Sequence, residues 1–295
     1  MKHTLSIIIA LLFAPIIAVQ ADDLTRSISI VPTPVQMVPG EGSYRFSDQT
    51  VFAVENSGQA EVVRNFIKLF TRAAGFTPQL KEGSAAGGDV CCVTDRNLKS
   101  EAYRLEVTPN RIVMKASDTK GFFYALQTIR LLLPSSIENA RNVGGNPDWT
   151  IPSVKISDEP RFGYRGLLLD AARFFIPKEN VLRIMDCMAM LKLNKLHFHL
   201  CDDNGVDRRA VPFHSRRNPK LGEATPVGGF YTQEDMKEMI AYAAERQIEV
   251  IPEIEMPAHS NAALASYPEL ACPVVKNFIG VLPGLGGTRA DIIYC

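Results

Sequence analysis

The pattern of apolar and polar positions divides the chain into two kinds of organisation. Tyr103-Arg-Leu-Glu-Val and Arg111-Ile-Val-Met-Lys alternate apolar and polar residues on either side of Thr108-Pro109-Asn110, which predicts a β-hairpin. Two other stretches repeat at helical spacing. Val62, Val63, Phe66, Ile67 and Phe70 share one face of a helix expected over about 59–73 and stopped by Gly75. Phe122, Tyr124 or Ala125, Ile129 and Leu132 mark a second helix from Gly121 to Leu133, which Pro134 ends. Two helices and short strands predict a small α+β domain over residues 22–157, with its boundary in the Gly-, Asn- and Pro-rich stretch Ser135–Pro160.

Beyond that stretch the pattern changes. Short, mostly apolar runs at 163–170, 194–202 and 248–256 alternate with helical segments, one opened by Pro177 and carrying Val181, Leu182, Met185, Met188 and Leu191, the other capped by Thr232 and running to Arg246. Alternating β-α-β-α-β over residues 158–295 calls for a parallel sheet with crossover helices. The fold class expected is α/β: the first three strands of a (β/α)8 barrel behind a small α+β domain.

Composition narrows the class. With Lys+Arg 32 against Asp+Glu 32 the chain is neutral, so nothing suggests a nucleic acid or other polyanionic partner. The one long apolar run, Leu5 to Val19, follows Lys2 and His3 and precedes Val19-Gln20-Ala21, the pattern of a secretory signal peptide over residues 1–21. It is interrupted by Pro15 and too short for a membrane span, so export to the periplasm or the exterior is expected, with no membrane span. The six cysteines match no zinc spacing, and their expected role is that of buried small hydrophobes rather than disulfides.

The chemistry-bearing residues collect at the ends of the three strands, where a parallel barrel presents its active site. The first strand carries Arg165, then Asp170 and Arg173 at its end. Arg165 offers a planar fork of donors, suited either to two adjacent oxygens of a ligand or to an ion pair with Asp170 or another core carboxylate. On the second strand His197 and His199 stand two residues apart and so face the same way. They are expected to be hydrogen-bonded interior residues, and the alternative is a metal-dependent barrel hydrolase. Asp202 and Asp203 end this strand and project to opposite sides, so only one can face the site. Glu253, Glu255 and His259 end the third. An Asp from the second strand and His259 from the third can pair and orient a neighbouring acid.

Tyr164-Arg-Gly-Leu-Leu-Leu-Asp170, Ala172-Arg-Phe-Phe175, Leu193-Asn-Lys-Leu-His-Phe-His-Leu200, Asp202-Asp-Asn-Gly205 and Pro252-Glu-Ile-Glu-Met-Pro-Ala-His259 together resemble the β-N-acetylhexosaminidases of glycoside hydrolase family 20. Glu101-Ala-Tyr-Arg-Leu and Gly121-Phe-Phe-Tyr-Ala-Leu-Gln-Thr-Ile-Arg are similar to that family's small α+β domain. The resemblance implies an exo-acting enzyme that removes terminal N-acetylglucosamine or N-acetylgalactosamine from glycans without a cofactor or metal. The substrate's own acetamido oxygen would attack the anomeric carbon, with retention. By motif match, Arg165 would grip hydroxyls of the terminal sugar, while Asp202 and His259 would support the general acid; Asp203 is the less favoured of its pair.

Two departures qualify the resemblance. The family's catalytic Asp-Glu lies in a Gly-Gly-Asp-Glu type of sequence after the fourth strand, and none occurs between His259 and Cys295. The chain therefore reads as a fragment without activity of its own. After Gly205, Val206-Asp-Arg-Arg replaces the expected Trp and Arg, which reads as an internal deletion, and the only Trp is Trp149. A noncatalytic sugar-binding remnant using Arg165 is the alternative from another class.

Overall fold

The computed structural model describes residues 28–142, 144, 147–172, 175–200, 230–259, 264 and 267–273. The expected signal peptide, Arg173, Asp202, Asp203 and the expected deletion after Gly205 lie outside them.

The first unit is a seven-stranded mixed sheet. Its strands are β1 (Gln36–Arg45), β2 (Val51–Val54), β3 (Gln79–Glu82), β4 (Val90–Thr94), β5 (Tyr103–Val107), β6 (Ile112–Ala116) and β7 (Thr150–Asp158), in the order β1-β7-β5-β6-β4-β2-β3. The predicted hairpin is β5–β6, with Val107 opposite Ile112 and the turn closed by the Thr108 amide donating to the Arg111 carbonyl at 2.9 Å. Alternation sends Tyr103, Leu105 and Val107 into the core and leaves Arg104 and Glu106 exposed. The stretch read as a boundary region contributes β7, whose Ile151, Val154 and Ile156 are buried.

Helix α1 (Ser57–Ala73) starts where Asn56 accepts the Gln59 amide at 3.0 Å, and it ends where Gly75, at φ +77°, donates to the Phe70 carbonyl. Helix α2 (Thr119–Leu132) is capped by Asp118 and buries every residue from Gly121 to Ile129. A helix buried all round needs cover on two sides. Here α2 packs on β5, β6 and β7 on one side, on α1 beside it, and on α3 of the second unit. Gly121 permits the close approach to the sheet: a Cβ there would lie 2.5 Å from the Ala102 carbonyl oxygen and 2.7 Å from the Ala116 Cβ. Gly121→Ala should therefore cost about 1–2 kcal/mol after the gain in helix propensity is subtracted, read by denaturant unfolding. Unchanged stability would show that the sheet yields at this point.

The second unit is a three-stranded parallel sheet in the order β10-β9-β8, built from β8 (Gly166–Asp170), α3 (Lys178–Met190), β9 (Lys195–His199), α4 (Gln233–Glu245) and β10 (Glu249–Glu253). The strands are shorter than the apolar runs suggested. The Thr232–Asp235 capping box opens α4, and Asp235 also accepts from Lys178 Nζ at 2.7 Å, tying the first turns of both helices together. Hydrogen bonds from Lys178 and then Thr232 hold the Asp235 carboxyl at about 2, well below the carboxylate range. One continuous core runs through both units, from Phe52 and Phe70 to Leu196 and Phe198. Among the described residues no helix is long and apolar enough to cross a membrane.

The cysteines depart from expectation at two positions. Cys91 and Cys92 are buried free thiols, and burial pushes the Cys92 thiol up. Cys187 is exposed, because Val181, Met185 and Met188 form the inner stripe of α3 and residue 187 falls outside it. Cys272 is disulfide-bonded rather than a buried hydrophobe.

Candidate functional site

Parallel register brings one polar residue from each strand into a row. Asp170 ends β8 opposite His199, and His199 ends β9 opposite Glu253 at the end of β10. Since side chains alternate between faces, Leu168, His197 and Ile251 share this face two residues earlier, while Leu196 and Phe198 point the other way into the core. The row is where a barrel gathers its chemistry.

Asp170 Oδ1 lies 3.1 Å from His199 Nδ1, and His199 is buried. With Nδ1 set against Asp170, the ring turns Nε2 toward the third strand. There it lies 3.5 Å from Glu255 Oε1 and 3.8 Å from Glu253 Oε1. Glu255 Oε2 is 3.1 Å from His259 Nδ1, and Glu253 Oε2 is 2.6 Å from His197 Nε2. Six side chains from three strand ends thus form one chain of acid–imidazole contacts. Asp170 was legible only as a flanking group. Its pairing with His199 follows from equal distances along neighbouring parallel strands, a signal present once the two apolar runs are aligned.

Residues 27–159 match the family described as "Glycosyl hydrolase family 20, domain 2", and residues 162–282 match "Glycosyl hydrolase family 20, catalytic domain". The chain belongs to glycosyl hydrolase family 20. It is 34% identical over 266 residues to a beta-hexosaminidase of Porphyromonas gingivalis, covering 86% of this chain and 33% of that protein. Among solved structures, Streptomyces plicatus N-acetyl-beta-hexosaminidase in complex with Thio-NAglucal superposes with a TM-score of 0.75 at 32% identity, over 89% of this chain and 52% of that one. The Vibrio harveyi exo beta-N-acetylglucosaminidase in complex with N-acetylglucosamine gives 0.69 at 29% identity, over 83% and 39%. The chain thus spans between a third and about half the length of these relatives. The second unit is accordingly the opening part of the family 20 TIM barrel, and the first is its preceding small domain.

The site residues expected from the motifs fare differently. His259 stands in the strand-end cluster, against Glu255; Asp202, its expected partner, lies outside the described residues. Arg165 is not at the strand ends. It precedes Gly166, the first residue of β8, roughly 16 Å of strand before Asp170. Its guanidinium donates to Glu101 Oε2 at 2.7 Å, Tyr124 Oη at 3.0 Å, and the carbonyls of Phe162 and Lys192 at 2.7 and 2.8 Å. The fork is filled by protein acceptors, so the ion-pair alternative holds, with Glu101 of the small domain rather than Asp170. A sugar-binding remnant that relies on Arg165 loses its ligand group for the same reason. His197 Nε2 and His199 Nε2, the pair behind the metal-hydrolase alternative, both face the Glu253 carboxylate, at 2.6 and 3.8 Å, and His199 also meets Asp170 and Glu255.

The Arg165 contacts belong to a polar seam between the two units. Asn194 donates to Glu101 Oε1 at 3.3 Å and accepts the Arg165 amide at 3.0 Å. Lys192, at φ +59° just beyond α3, donates to Asp158 at 2.8 Å and Tyr103 at 2.9 Å. A positive φ costs a non-glycine residue of order 1 kcal/mol, and the backbone turn it makes delivers the ammonium to these acceptors. Burial lowers the Lys192 ammonium despite Asp158, while burial and then Glu101 push the Tyr124 hydroxyl up to about 12.

Proposed function

We propose that this chain carries the small domain and the first three barrel strands of an exo-acting β-N-acetylhexosaminidase, which removes terminal N-acetylglucosamine or N-acetylgalactosamine by substrate-assisted, retaining hydrolysis. The observation that carries the reading is the pair of consecutive family 20 matches, with the acid–imidazole cluster standing at the ends of the matched strands. In this reading His259, with Asp202, orients the acid that protonates the leaving oxygen, and the acetamido oxygen is the nucleophile. The acid and its Asp neighbour would come from the Gly-Gly-Asp-Glu type of sequence that these residues do not include.

Export to the periplasm or exterior is part of the proposal. It is supported by the apolar run before Ala21 and by the Cys272 disulfide, a bond suited to an oxidising compartment.

The test reads the coding sequence past the codon for Cys295 and assays its product from culture fractions on matched chromogenic β-N-acetylglucosaminide and β-glucoside. An exported product containing Gly-Gly-Asp-Glu should cleave the first and leave the second, which lacks the internal nucleophile. Equal cleavage of both would rule out substrate assistance. A stop codon directly after Cys295 would remove hydrolysis from this chain's function.

A further inference from the structure

On the face of the seven-stranded sheet opposite the one that α2 covers, register sets four donor-bearing side chains in a row. Gln36 of β1 stands opposite Ser157 of β7, Ser157 opposite Arg104 of β5, and Arg104 opposite Lys115 of β6. Residues directly opposite on neighbouring strands share a face. Arg104 and Lys115 are exposed there, while the alternate residues Leu105 and Met114 are buried under α2. The row crosses three strand spacings, roughly 14 Å. It lines a recess of about 500 Å³, with Val38 and Val113 as apolar neighbours two residues along their strands.

Arg104 and Lys115 are a like-charge pair with Cβ atoms about 4.5–5.5 Å apart, an arrangement that costs a sheet stability. The carboxylates on this face relieve it little. Asp95 comes no closer than 3.9 Å to Arg104, and Glu106 is engaged by Lys155 at 2.8 Å. Among the described residues no carboxylate pairs with Lys115, and the side chains of Ser157 and Gln36 make no hydrogen bond to the protein. Two cations held side by side, with a hydroxyl and an amide beyond them, are complementary to a ligand bearing both acidic groups and hydroxyls. The guanidinium fork in particular matches the paired oxygens of a carboxylate or a sulfate. Equal numbers of acidic and basic residues in the whole chain conceal this local excess.

We propose that this face binds an acidic oligosaccharide, its carboxylate or sulfate groups held by Arg104 and Lys115 and its hydroxyls by Ser157 and Gln36. A nucleic acid fits the recess less well. No aromatic ring lines it to stack a base, and two free cations are few for a phosphate backbone. The sheet and α2 stand between this face and α3 of the barrel, so its role is to anchor a glycan rather than to act on it. The choice of a glycan rests on the hexosaminidase reading, whereas binding here needs no catalysis, so either can fail while the other stands.

The experiment titrates the whole chain at low ionic strength with labelled hexasaccharides: hyaluronan, which carries carboxylates, chondroitin sulfate, which adds sulfates, and neutral chitohexaose, with oligothymidylate as a further control. Both acidic sugars should bind at least about tenfold more tightly than chitohexaose, and added salt should weaken them. Tighter binding of chondroitin sulfate would assign the contact to sulfate; equal binding would show that carboxylates suffice. Arg104→Ala and Lys115→Ala should each weaken the acidic sugars about fivefold or more, and Lys115→Glu should abolish their binding. Lys115→Ala should not lower the melting temperature, because it relieves the repulsion with Arg104, so its weaker binding reports the site and not the fold. Equal binding of chitohexaose, no binding of either acidic sugar, affinity unchanged in Lys115→Glu, or tighter binding of oligothymidylate than of both acidic sugars would overturn the proposal.

Discussion

Purified as these 295 residues, the protein is expected to release no product from a chromogenic β-N-acetylglucosaminide above the buffer rate. A positioned general acid contributes about 10²–10⁴-fold, and groups that stabilise developing charge contribute a further 10²–10³-fold or so. Both are assigned by family resemblance to an Asp-Glu that does not occur after His259. The carboxylates present at the strand ends are poor substitutes. Glu253 is 2.6 Å from His197, and Glu255 is 3.1 Å from His259, so each is committed to an imidazole and set at the end of β10 or just after it. Turnover that persists through purification and disappears in Glu253→Gln or Glu255→Gln would place the acid in the third strand instead.

Arg165→Ala should destabilise the fold by about 3–5 kcal/mol, the range for removing one partner of a buried, hydrogen-bonded ion pair. Arg165 and Glu101 have side chains only 16% and 11% exposed, and the loss of the guanidinium removes the Arg165 donor from Glu101 Oε2, Tyr124 and two backbone carbonyls, while Asn194 still donates to Glu101 Oε1. Lys120, 3.6 Å from Glu101 on the more exposed side, retains part of the charge balance. Arg165→Lys keeps the charge but not the fork that reaches four acceptors, and should also destabilise, by about 1–3 kcal/mol. Because the two residues share one network, Arg165→Ala combined with Glu101→Ala should cost less than the sum of the single changes. Denaturant unfolding of the four proteins measures this. Single losses under about 1 kcal/mol, or strict additivity, would mean that apolar packing alone joins the units.

Much of the architecture was legible because it is periodic. The β5–β6 hairpin, α1 and α2 each carry a local repeat, the three barrel strands are short apolar runs between helical segments, and caps such as Thr232 with Asp235 mark helix starts. The Cys272 disulfide and the exposure of Cys187 were not legible. The first depends on which cysteine a residue meets in space, and the second on which side of α3 the sheet occupies. The strand inside Ser135–Pro160 was hidden by its flanking Gly, Asn and Pro, since β7 finds its partners in β1 and β5, far away in sequence.

Through its motifs the sequence by itself determined the family and which strand ends hold acids and histidines. Tertiary structure decided what those groups touch. A strand's pattern shows that His197 and His199 share a face, yet only the parallel register sets His199 between Asp170 and Glu253. Arg165 shows the same division most sharply: its motif suggested a sugar ligand, but an arginine bonds whatever acceptors are nearest. Those acceptors come from α2, the loop before β5, the stretch before β8 and the turn after α3, brought together only when the small domain docks on the barrel.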